Sequence, residues 1–72
     1  MSYYIHASYL KDRDRLELLA LKKPKDCMER RSIDNEVIEL AGEIVNLPVT
    51  DVKIEYPNIW VYCLDRSFRI KF

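Results

Sequence analysis

The chain has 72 residues, 49% of them hydrophobic and 33% charged, with one Gly, three Pro and two Cys. That length predicts one domain, whose folding buries only about 60% of the surface its unfolded chain exposes. No low-complexity tract interrupts it, so folding is expected from end to end. Twelve basic and twelve acidic residues cancel, which removes the simple electrostatic case for binding nucleic acid or a membrane surface in bulk.

The charges are unevenly placed. Residues 1 to 31 carry eight Lys or Arg against five acids, residues 32 to 52 carry five acids and no base, and residues 53 to 72 carry four bases against two acids. Surfaces of opposite sign follow. No apolar run approaches the roughly 20 residues that span a bilayer, so no membrane partner is expected. The first residues, Met-Ser-Tyr-Tyr-Ile-His, lack a basic segment followed by a long apolar one, so a cytoplasmic protein with Cys27 and Cys63 as reduced thiols is expected.

In chain order, Ser2 to Leu10 is rich in aromatic residues and reads as a strand. Arg15 to Lys23 reads two ways. Its Leu, Glu, Ala and Lys are good helix formers, with Asp14 and Glu17 as an N-terminal cap pair, but a Lys11-Asp12-Arg13-Asp14 hairpin between two strands fits equally well. Pro24 ends the element in either case. Lys22, Lys23, Lys25, Arg30 and Arg31 then form a basic cluster, interleaved with Asp26 and Glu29, that reads as a solvated connection.

Residues 33 to 47 predict an amphipathic helix. Ile33, Val37, Leu40, Ala41, Ile44 and Leu47 recur at helical spacing; Ser32 or Asp34 would cap the start and Pro48 would enforce the stop. The other face carries Glu36, Glu39 and Glu43 as an acidic stripe. Ile38 and Val45 lie on the border, and Gly42 leaves a shallow notch on the polar side.

After Pro48 the period changes to two. Val52, Ile54 and Tyr56 alternate with Lys53 and Glu55; Pro57-Asn58 reads as a turn, as does Asp65-Arg66-Ser67; Phe68, Ile70 and Phe72 alternate with Arg69 and Lys71. The result is a three-stranded antiparallel meander. The expected fold class is therefore α+β, a small single domain over residues 1 to 72. Its antiparallel sheet comprises this C-terminal meander plus an N-terminal strand or hairpin, packed on one long amphipathic helix.

The middle strand is the informative one, because Ile59-Trp60-Val61-Tyr62-Cys63-Leu64 is apolar throughout while its neighbours alternate. Turn parity decides which half of it meets the helix. If both turns hold an even number of residues, Tyr56 pairs with Ile59, Ile54 with Val61, Cys63 with Phe68 and Val61 with Ile70. All the alternating apolar residues then share one face, and Trp60, Tyr62 and Leu64 are left on the other beside Lys53, Glu55, Arg69 and Lys71. Odd turns reverse this. Pro57 argues against a tight primed two-residue turn, since it cannot take positive φ, and a four-residue loop preserves the even register. Three covers suit the second face: a helix at 15 to 23, a second copy of the chain in a homodimer, or a different macromolecule.

Catalytic and metal chemistry find little support. His6, Cys27 and Cys63 are the only soft ligands and stand far apart in sequence, so a buried histidine and two core thiols are expected rather than a metal site or a Cys–His nucleophile. A single Gly excludes a phosphate-binding Gly-rich loop. No enzyme activity, metal or cofactor is expected. The expected function is a protein–protein interaction module, a small inhibitor or accessory subunit. Its partner-binding residues would be Trp60, Tyr62, Leu64, Lys53, Arg69 and Lys71 on the sheet and Glu36, Glu39 and Glu43 on the helix. The alternative is a single-stranded nucleic-acid platform using the same aromatic and basic sheet face.

Overall fold

A computed structural model of the protein describes residues 2–72, Ser2 by its backbone alone. The element order is β1 (Ser2–His6), a 3₁₀ turn (Ala7–Tyr9), α1 (Arg13–Leu21), α2 (Cys27–Val45), β2 (Asp51–Glu55), β3 (Asn58–Tyr62) and β4 (Ser67–Lys71). The fold is α+β, with the long helix packed on a four-stranded sheet of order β1-β4-β3-β2. Strands β2, β3 and β4 form the expected antiparallel meander.

Strand β1 corrects the expectation of a purely antiparallel sheet, since it pairs with β4 in parallel. Two helices separate β1 from β2, enough chain to carry β2 to the opposite edge. The meander then returns to β1 with its last strand running in the same direction.

The ambiguous segment forms helix over Arg13–Leu21, two residues earlier at each end than expected, and the alternative hairpin at Lys11 to Asp14 is not formed. Asp12 occupies the N-cap position of α1 without a capping side-chain bond, and Asp14 sits in its first turn. Glu17 does not pair with Asp14. It lies 3.6 Å from Arg13 Nη1 and accepts a 2.8 Å hydrogen bond from the Tyr56 hydroxyl, tying α1 to the sheet.

Helix α2 starts six residues earlier than its apolar periodicity indicates. Asp26, not Ser32 or Asp34, is the cap: its Oδ1 accepts from the Glu29 amide at 2.8 Å, and the helix runs for 19 residues. Arg30 and Arg31 therefore lie on the helix rather than in a connection. The helix ends at Val45, with Asn46 in the left-handed region (φ 55°) two residues before Pro48.

Each hairpin turn sits one residue earlier than expected. Ile54 pairs with Ile59 and Val52 with Val61; Val61 pairs with Phe68 and Ile59 with Ile70. The first loop is Tyr56-Pro57, with a cis peptide bond between the two, the turn type that takes proline at its second central position. Tyr56 leaves the strand because its ring stacks on Phe72 at 5.6 Å while its hydroxyl reaches Glu17. In the second turn the Cys63 amide donates to the Arg66 carbonyl at 2.9 Å, so Leu64 becomes a loop residue. Both loops remain even, and parity, not the exact pairs, sets the faces.

One core results. Val52, Ile59, Val61 and Ile70 from the sheet, Leu16 and Leu19 from α1, and Ile33, Val37, Leu40 and Ala41 from α2 form a single buried cluster. Both helices therefore lie on the same side of the sheet. The cover of the second face that a helix at 15 to 23 could have given is not supplied, because α1 buries Leu16 and Leu19 in the core that α2 already shares.

Candidate functional site

The sheet face away from the helices is ordered by strand register. One row across it reads Tyr4, Arg69, Trp60 and Lys53; the next reads His6, Lys71, Asn58 and Glu55. Tyr62 stands beyond Trp60, between Ser67 and Asp51. The alternation of β2, β3 and β4 places these side chains outward because their neighbours fill the core.

Arg69 organises this face. Its guanidinium carbon lies 5.5 Å from the Tyr4 ring centroid and 5.8 Å from that of Trp60, and its Nε donates to Asn58 Oδ1 at 2.9 Å. A planar cation held between two rings and fixed by an amide is a rigid arrangement. Tyr4 is 48% exposed, Tyr62 is 37% exposed and Trp60 is half-buried, although no helix covers them. Beside them Lys53 and Glu55 form an ion pair at 3.0 Å, and the hydrogen bond and charge of that carboxylate raise the Lys53 ammonium above its ordinary value. At the edge of the face, the His6 ring meets Tyr4 edge-on at 4.7 Å.

Five of the six sheet residues named from sequence share this face: Trp60, Tyr62, Lys53, Arg69 and Lys71. Leu64 does not. It is 93% exposed at the tip of the β3–β4 turn, beside Leu47, Pro48 and Cys63. Glu36, Glu39 and Glu43 are exposed on α2, in the helix layer. With the sheet between the two groups, the acidic stripe and the aromatic face do not form one site. Tyr4, His6 and Asn58 belong to the face and escape sequence reading. Alternation within Tyr3-Tyr4-Ile5-His6 would have paired Tyr4 with His6, but their neighbours depend on the parallel pairing with β4.

Ligand and catalytic geometry is sparse. His6 and Cys27 are exposed and Cys63 is half-buried, which corrects the expectation of core groups: His6 lies on an edge strand, Cys27 begins α2, and Cys63 lies in a turn. Among the described residues no three His, Cys, Asp or Glu side chains cluster as metal ligands, and no helix is long and apolar enough to cross a membrane. A cavity of about 70 Å³ between α1, α2 and Ile54 is well below the roughly 300–1,000 Å³ of small-molecule sites, and the larger hollows on the surface are more open to solvent.

No family model, curated protein or solved structure matches the chain.

Proposed function

We propose that this protein is a non-enzymatic protein-binding module, a small inhibitor or accessory subunit, that receives its partner on the open face of the sheet. The observation that carries this reading is the Tyr4–Arg69–Trp60 row, three side chains held in register on a face that neither helix covers. Trp, Tyr and Arg are the residues most enriched where protein interfaces concentrate their binding energy, and rigid anchors lose little entropy on binding. With Lys53 paired to Glu55, the charges of the face that no carboxylate pairs among the described residues are Arg69 and Lys71, both on β4. The complementary partner surface has an apolar centre and an acidic group opposite Lys71.

Two features weigh against the single-stranded nucleic-acid alternative. Arg69 occupies the space over Tyr4 and Trp60 that a stacked base would need, and Lys53 is already paired with Glu55. The test is affinity capture from the native cell with and without nuclease, then binding of the captured protein, purified, to wild type and to a Trp60→Ala/Tyr62→Ala variant. Direct binding that the double variant weakens at least tenfold, with a shallow salt dependence, supports the reading. Tight binding of a fluorescent single-stranded oligonucleotide that falls steeply as salt rises overturns it.

A further inference from the structure

The outer side of α2 is complementary to itself. Met28, Arg31, Asn35, Glu39 and Gly42 follow one another at spacings of 3, 4, 4 and 3 residues, which places them along one side of the helix. That side is opposite the buried residues Ile33, Val37, Leu40 and Ala41. The series is symmetric about Asn35: Arg31 and Glu39 stand four residues either side of it, and Met28 and Gly42 seven. An antiparallel two-fold pairing centred on Asn35 therefore sets Arg31 of one copy opposite Glu39 of the other, and Met28 opposite Gly42.

Each pairing is chemically apt. Arg31 and Glu39 are exposed and join no ion pair among the described residues. Met28 is 82% exposed, an unusual place for a thioether. Gly42 forms part of a shallow open depression whose apolar wall of Ile38, Leu47, Pro48 and Val49 is rimmed by Glu39, Glu43 and Asn46. A flexible methionine fills an irregular apolar seat well, and a glycine lets two helices approach. The Asn35 amides meet at the axis, where each is both donor and acceptor.

We propose that α2 pairs antiparallel with α2 of a second copy of this chain, forming a reversible homodimer joined at the helix layer. The occupant is a second copy because one stripe supplies both halves of every complementary pair, the requirement of a two-fold interface. Met28 and Gly42 are about 21 Å apart along the helix at 1.5 Å per residue. Such a contact is smaller than the roughly 1,200–2,000 Å² of stable complexes, so the dimer depends on concentration. Its two open sheet faces point away from each other.

Sedimentation velocity of the full chain, from low micromolar to millimolar concentration, tests this. Wild type moves reversibly from monomer to dimer. Arg31→Glu and Glu39→Arg each weaken the dimer about tenfold or more, since two symmetric attractions become two repulsions. Mixing the two variants restores association, because every crossing pair is then opposite in sign, and Met28→Asp abolishes it. All three positions are exposed, and far-UV circular dichroism verifies that each variant is folded. A monomer at every concentration overturns the proposal. So does a dimer indifferent to both charge reversals but lost in Trp60→Ala/Tyr62→Ala, which would place the second copy on the sheet face instead.

Discussion

Ile59 and Trp60 are adjacent in sequence, yet the sheet sends them to opposite environments, and unfolding experiments should separate them. Ile59 is fully buried in the core to which both helices contribute, and Ile→Ala in a packed core costs about 2–5 kcal/mol in lost transfer energy and residual cavity. A 72-residue domain at about 0.05–0.15 kcal/mol per residue has only about 4–11 kcal/mol to lose. Ile59→Ala should therefore remove from about a fifth to most of the stability, about half at the middle of both ranges. Trp60 is half-buried on the open face, and its distinct contact is with Arg69. Trp60→Thr keeps a residue suited to a strand and loses about 0.5–1 kcal/mol of cation–π attraction plus a partial apolar contact. Urea unfolding should be followed by far-UV circular dichroism, because the second variant removes the sole tryptophan. At about 1 kcal/mol per molar urea for so small a domain, the midpoints fall by about 3 M for Ile59→Ala and about 1 M for Trp60→Thr. Equal losses would refute the assignment of Trp60 to an uncovered face. A loss below about 1 kcal/mol for Ile59→Ala would refute the even register itself.

Three further outcomes follow from local geometry. Asp26→Ala removes the bond to the Glu29 amide and should cost about 1 kcal/mol, lowering the melting temperature by about 4–8 °C; an unchanged melting temperature would deny the cap any role. Gly42→Ala should raise stability by about 0.5–1 kcal/mol in dilute solution, because the added Cβ meets only the Leu47 carbonyl oxygen at an ordinary 3.6 Å; a loss in chemical denaturation would show that the notch is needed within the monomer. The hydrogen bond to Glu17 raises the Tyr56 phenol above its ordinary value. The folded state thus holds that proton more tightly, and the contribution is complete below about pH 10 and fades as pH rises through the higher folded value. Glu17→Ala should return the Tyr56 ring resonances to an ordinary titration by NMR, and an unshifted titration would mean that Glu17 is not the cause.

The meander was legible because strand alternation and turn parity need only local chain. Moving the first loop from around Pro57-Asn58 to Tyr56-Pro57 changes every pair and no face, so the placement of Trp60 and Tyr62 depended on turn parity, which the sequence left open, and not on exact pairings. The start of α2 was hidden because Cys27 to Arg31 present no apolar stripe to the core; the signal was Asp26 three residues before Glu29, a cap rather than a period. Helix α1 was ambiguous for a related reason. Leu18 and Leu21 are 66% and 52% exposed while Leu16 and Leu19 are buried, so its apolar residues surround the helix and show no preferred face. The parallel pairing of β1 with β4 depends on how two helices carry the chain over the sheet, which no local pattern records. Tyr4 was hidden with it, and so was the row that fixes Arg69.

Separating the aromatic face from the acidic stripe changes what one molecule can do. With helices on only one side of the sheet, the molecule is 17 Å across its thinnest dimension, and a flat partner reaches the sheet face or the helix face but not both. The helix side carries charges that answer one another under two-fold rotation, while the sheet side carries anchors with no such symmetry. Joining copies through α2, as proposed, would therefore leave the open sheet face whole and double it. If the target has two sites at the matching separation, the second contact forms at an effective concentration set by the dimer rather than by the solution, and avidity can exceed a single-site affinity by about 10²–10⁴. Arg31→Glu would then weaken capture of such a target without touching the sheet face, whereas Trp60→Ala would weaken the monomer and dimer alike. Comparing the two variants on immobilised and on monomeric target distinguishes loss of avidity from loss of the site.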